Sequence, residues 1–142
     1  MAAEIGLAAS VAGLVSLGIQ LTGGIVSFLD ALENRQKELE SVRRQNEALT
    51  AALTIIKTAS FQNQQHNDAI TQNTQSCEAE LRAVESLLAE LANCDTSTWR
   101  KRLKSKKQKL SYVFDRKKVE QLVQRLHHAN EVLQLAMTGL GL

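Results

Sequence analysis

This chain of 142 residues has no proline, and its seven glycines lie within the first 24 positions or the last four. Nothing between those ends removes a backbone donor or offers free backbone torsion, so long helices can run unbroken. Aromatic residues make up only 4%, so a core must be built from Leu, Val, Ile and Ala. No stretch alternates apolar and polar residues between turn signals, which argues against strands. Cysteine is also scarce. Cys77 and Cys94 fall on what reads as one helix, and seventeen residues of helix span about 25 Å, too far for a disulfide. Two unpaired thiols suit a reducing compartment, which predicts a cytoplasmic chain.

Catalytic motifs are missing as well. There is no phosphate-cradling G-x-x-x-x-G-K-[ST] loop. His127 and His128 are adjacent and point to different helix faces, so they cannot ligate as an i, i+4 pair. His66 stands alone in a polar stretch. Cys77 falls on an apolar helix stripe and reads as core. Carboxylate pairs such as Glu78/Glu80 and Glu38/Glu40 read as solvated faces. A non-enzyme without metal or cofactor is expected.

One further absence is local. From Ile5 to Leu29 there is no charged side chain. A secretory signal would need a positive start and a shorter apolar run. About 20 apolar residues suffice to cross a bilayer, so length alone permits a span. Yet the run includes Ser10, Ser16, Gln20, Thr22 and Ser27, and small residues serve soluble cores as well as membrane helices. A helix apolar on nearly all sides is central in a bundle or sits in lipid. The expectation is a central buried helix at rest. The tandem Gly23-Gly24 costs roughly 2 kcal/mol of helix propensity against alanine. It marks either a kink or close crossing, or a hinge that lets the front of the helix leave.

Apolar periodicity gives the rest. The first helix covers roughly 4–31, with Leu7, Val11, Leu14, Leu17, Leu21, Ile25, Phe28 and Leu32 in one stripe. The second covers roughly 36–59 through Leu39, Val42, Leu49, Leu53 and Ile56, interrupted by Asn46. The third covers roughly 66–93, firm from Cys77 through Leu81, Val84, Leu88 and Leu91. The last starts after Asp115, a fitting N-cap, and carries Val119, Leu122, Leu126, Ala129, Leu133 and Met137. Asp95, Ser97 or Thr98 could cap a short extra basic helix between them. The expected fold is all-α: one domain over 1–142, an antiparallel four-helix bundle.

Charge is unevenly spread. Arg100, Lys101, Arg102, Lys104, Lys106, Lys107, Lys109, Arg116, Lys117 and Lys118 face a single anion, Asp115, within 100–118. That segment carries a formal +9, which leaves −7 for the rest of a chain whose total is +2. Such a patch is a solvated face, a site for anionic lipid, or a site for nucleic acid. Trp99, Tyr112 and Phe114 flank the charges instead of alternating with them, and no nucleic-acid motif is present. Lipid is the preferred partner.

The order of features carries a resemblance. "MAAEIGLAASVAGLVSLG" opens the chain, a charged leucine-spaced helix and a polar-to-apolar helix follow, then "WRKRLKSKKQKLSYVFDRKKVEQLVQRL" and "ANEVLQLAM". This resembles the HeLo-like N-terminal domains of fungal STAND (NLR-like) immune receptors, which are similar to the four-helix domains of necroptosis effectors and to plant coiled-coil NLR domains. The resemblance covers almost the whole chain. It implies a signalling or executioner domain, joined in a longer chain to a nucleotide-binding module. On homo-oligomerisation such a domain would move to the membrane and permeabilise it, causing regulated cell death. The inserting residues would be Ile5, Leu7, Val11, Leu14, Val15, Leu17, Ile19 and Leu21, with Gly23 and Gly24 as hinge and the ten cations on anionic headgroups. The alternatives are an oligomerisation or adaptor domain without membrane activity, and nucleic-acid binding through 100–118.

Overall fold

The computed structural model describes the backbone over residues 2–62, 68–105 and 110–139, and side chains over 11–59, 74–105 and 110–139. It is all-helical, with no strand among the described residues. The helices are α1 (Ala2–Ala31), α2 (Glu40–Gln62), α3 (Asp68–Leu91), α4 (Thr96–Lys104) and α5 (Arg116–Gly139), with a 3-10 turn at Glu33–Arg35 between the first two. α1 and α5 each pack against both α2 and α3, and α4 packs against α3.

The stripes read from the sequence are the buried faces. Leu21, Ile25 and Phe28 of α1 are fully enclosed, as are Val42 and Leu49 of α2. On α3, Leu81, Val84 and Leu88 are enclosed, and on α5 every residue of the expected stripe is buried. Two boundaries have clear chemical causes. α3 ends on Asn93, whose φ of 56° is left-handed. The Cys94 N–H donates to the Ala89 carbonyl and the Asn93 N–H to the Glu90 carbonyl, each at 3.0 Å. That pair of bonds closes the helix end, and asparagine tolerates the left-handed position. Cys94 therefore lies in the turn beyond α3, not on the helix with Cys77. Asp95 then caps α4, its Oδ1 accepting from the Thr98 N–H at 2.6 Å. Asp115 caps α5 in the same way, through the Lys118 N–H at 3.2 Å.

Two further expectations need correction. α1 is not enclosed on every side. Its stretch Val11–Ala31 is long and apolar enough to cross a membrane, and half of it is buried. Ala12, Ser16, Ile19, Gly23, Val26 and Asp30 form an outward seam. The reason is that α5 packs directly on α2 and α3, so α1 is one wall of the core instead of its axis. The other correction concerns Glu80. It is not a solvated carboxylate: its side chain is only 19% exposed, with Oε1 3.2 Å from His128 Nε2 across the α3–α5 contact.

Candidate functional site

The two features singled out by sequence, the uncharged first helix and the basic segment, meet at Gly24. A Cβ at Gly24 would overlap the Trp99 ring at Cζ2 and lie 2.9 Å from Cη2. Only a residue without a side chain leaves room for that ring. Trp99 is fully buried, and its Nε1–H donates to the Tyr112 hydroxyl at 3.0 Å. Tyr112 in turn meets Phe28 of α1 edge-on, with ring centroids 5.2 Å apart. Burial pushes the Tyr112 hydroxyl above its ordinary pKa, so it stays a neutral phenol. The first residue of the basic segment's flank is thus a core residue, and the stretch 110–114 lies partly against α1. The Val113 N–H also donates to the Leu91 carbonyl at 3.0 Å, which ties this stretch to the end of α3.

Gly23, one residue earlier, is exposed and has open space where a Cβ would stand. Neither glycine interrupts α1, which is continuous through both. A second close approach occurs at Gly18, where a Cβ would overlap the end of Leu53 on α2. At the same level the Asn46 Nδ2–H donates to the Thr22 carbonyl at 3.4 Å. Asn46, which breaks the apolar rhythm of α2, is therefore a buried polar tie between α1 and α2.

The ten cations separate into groups. Arg100 points inward: its Nε donates to Glu85 Oε2 at 2.8 Å and its Nη2 to Glu85 Oε1 at 2.6 Å. Glu85 is 1% exposed, and Arg82 Nη1 approaches it at 3.6 Å. The hydrogen bonds to Glu85 raise the Arg100 pKa further, so the guanidinium is charged at any ordinary pH. Lys101, Arg102 and Lys104 on α4, and Lys117 on α5, are exposed. Arg116 and Lys118 are near Glu38 and Glu90, at 3.6 and 3.9 Å. Lys106, Lys107 and Lys109 lie outside the described residues.

Of the inserting candidates, Leu14, Val15, Leu17 and Leu21 are buried, Val11 is half-buried and Ile19 is exposed. The side chains of Ile5 and Leu7 lie outside the described residues, as does His66. Sequence reasoning missed Glu85, although a signal was there. Glu85 stands four residues after Leu81 and three before Leu88, squarely on the α3 stripe. A charged residue at a core position predicts a buried partner.

The two histidines diverge as expected. His127 Nε2 is 2.7 Å from Glu131 on its own helix, while His128 reaches Glu80. Among the described residues, no three of His, Cys, Asp and Glu gather as a metal ion would require. No family model, curated protein or solved structure matches this chain.

Proposed function

We propose that this chain is a HeLo-like signalling and executioner domain of a fungal NLR-like receptor, with α1, α2, α3 and α5 as an antiparallel bundle. At rest it sits in the cytoplasm, in a longer chain that also holds a nucleotide-binding module. Clustering of receptors brings copies together, α1 leaves its place in the wall, and the membrane is permeabilised.

The observation that carries this reading is the character of α1. It is a helix long enough to span, uncharged from Ile5 to Leu29, half-buried, and without charge on its outward seam from Ala12 to Val26 as well. A wall helix in a water-soluble bundle needs apolar residues on one face only. Beside it, Lys101, Arg102 and Lys104 project from α4. Each cation near an anionic leaflet contributes ~1 kcal/mol to association.

Dye leakage from liposomes tests the reading, with the domain alone and fused to an inducible dimeriser. Leakage should require clustering and phosphatidylserine. Clustered protein that neither leaks nor sediments with such liposomes would leave helix-mediated assembly as the better account. Salt-dependent binding to duplex DNA or RNA in place of liposomes would favour nucleic acid.

A further inference from the structure

Consecutive residues of α4 grip two different helices. Trp99 fills the notch that Gly24 leaves on α1, and Leu103, one turn on, lies 3.6 Å from the same position. Arg100 crosses instead to α3 and takes both oxygens of Glu85. The following Lys101 and Arg102, with Lys104, face solvent. A short helix whose inner face holds α1 and α3 together thus shows cations on its outer face.

Arg100 can serve either side. Its side chain is 38% exposed, while that of Glu85 is 2% exposed. A guanidinium binds phosphate and carboxylate by the same two-pronged geometry. A phosphate-rich surface drawn to the outer cations therefore offers Arg100 a second partner. Once Arg100 turns to it, Glu85 keeps, among the described residues, only the more distant Arg82, at 3.6 Å. A buried carboxylate without its close partner is strongly unfavourable. Water must then enter between α3 and α4, and Trp99 moves with the helix that carries it.

We propose that α4 is a strap: it clamps α1 in the bundle through the Trp99–Gly24 notch and the Arg100–Glu85 pair, and an anionic membrane opens it by engaging its outer cations. This rests on the membrane reading above and adds the element that decides when α1 is released. An anionic surface shifts the equilibrium because it binds the open strap better than the closed one.

The test has two arms, both on the full chain. In solution, hydrogen exchange of α1 is compared with that of α5 in Glu85→Gln. Loss of the charge that holds Arg100 should speed α1 exchange by about tenfold, with α5 little changed, as local opening requires. Leu133→Ala, a core deletion in α5, is the reference that should speed both helices. If Glu85→Gln speeds α1 and α5 equally, or neither, the strap is wrong. Arg100→Lys, which keeps the charge but loses the fork, replaces Glu85→Gln should that variant not fold.

In the second arm, phosphatidylcholine vesicles with and without phosphatidylserine are added, and Trp99, the only tryptophan, is probed. With phosphatidylserine, its fluorescence should become quenchable by acrylamide or by brominated acyl chains. The triple variant Lys101→Glu, Arg102→Glu, Lys104→Glu should lose that response and keep wild-type exchange in solution. Protein that sediments with these vesicles while Trp99 stays shielded from both quenchers refutes the strap and leaves the membrane reading standing. Protein that binds neither vesicle, whether alone or clustered by the dimeriser, refutes the membrane reading itself, and the strap's trigger with it.

Discussion

Gly23 and Gly24 are neighbours in sequence and in the same helix, yet alanine should act on them in opposite directions. In a helix interior, alanine is favoured over glycine by up to ~1 kcal/mol, largely by restricting the unfolded chain. At Gly23 a Cβ meets open space, so Gly23→Ala should stabilise by that amount. At Gly24 the same gain is opposed by the Trp99 ring, which a Cβ would overlap. Relief by moving the ring is restricted, because Trp99 is fully buried and its Nε1–H is held by Tyr112. Overpacking of this kind costs about 1–3 kcal/mol, so Gly24→Ala should bring no gain and a net loss of up to roughly 2 kcal/mol. The two variants should then differ by about 1–3 kcal/mol in urea denaturation, with m unchanged. Trp99→Phe in the Gly24→Ala background should recover part of the loss, a coupling that distant sites lack. If Gly24→Ala stabilises as Gly23→Ala does, Trp99 does not sit in that notch, and the account of α4 against α1 is wrong.

Other contacts give separate expectations. Arg100→Met should destabilise by about 2 kcal/mol, less than the 3–5 of a fully buried pair because the Arg100 side chain is 38% exposed. Lys101→Met, next to it and solvated, should stay within about 0.5 kcal/mol; equal effects in thermal melts would refute the Glu85 pairing. Burial pushes the Cys77 thiol up to about 11, and raises Cys94 as well, with Arg102 pulling the other way. Cys94 is the more accessible, so a thiol reagent should modify it first and reach Cys77 only as the bundle opens; equal rates by mass spectrometry would contradict this. The Thr98 N–H holds the Asp95 carboxyl below its ordinary pKa. Stability from that charge is therefore complete above ~3.9, the unfolded value, and is lost as pH falls through the lowered folded value. Asp95→Asn keeps the cap acceptor without the charge, so the stability gap between it and wild type should close at low pH.

Much of this architecture was legible because apolar periodicity and capping are local. Val119 to Met137 repeats at three and four, Asp115 precedes it, and the helix starts there. The proline-free middle gave the helix lengths within a few residues. What stayed hidden depends on contacts distant in sequence. Trp99 at the head of a basic run reads only as an aromatic flanking the charges, because a tryptophan beside lysines is common at both cores and membrane surfaces. Its partners, Gly24 and Tyr112, are 75 and 13 residues away. Arg100 looked like one cation among ten, and only the position of Glu85 on α3 separates it from them. The central placement of α1 failed for a related reason. Sequence shows that a helix is apolar all round, but not whether its second face meets protein.

That second face is where the membrane reading is most exposed to test. α2, α3 and α5 carry charge on their solvent sides, as with Arg43 and Arg44, Arg82, and Glu120 and Arg125. On α1 the exposed positions from Ala12 to Val26 carry none, although packing on α2 and α3 consumes only its inner face; its one exposed charge among the described side chains, Asp30, stands near the helix end. Ile19 and Val26 are 50% and 49% exposed, and the rest of the seam before Asp30 is small: Ala12, Gly13, Ser16 and Gly23. Nothing in the bundle's stability requires this. Ile19→Lys and Val26→Lys should therefore alter folding by no more than about 0.5 kcal/mol each. In a bilayer the same lysines become costly, at roughly 2.5–3.5 kcal/mol for a cation near the centre of a spanning helix. The pair should abolish clustered leakage while leaving the denaturation midpoint in place. Leu14→Glu is the contrast. Leu14 is 3% exposed, so a carboxylate there should cost several kcal/mol in the bundle and damage both states. If Ile19→Lys with Val26→Lys leaks like wild type when clustered, α1 does not enter lipid, and its uncharged outer face needs another explanation.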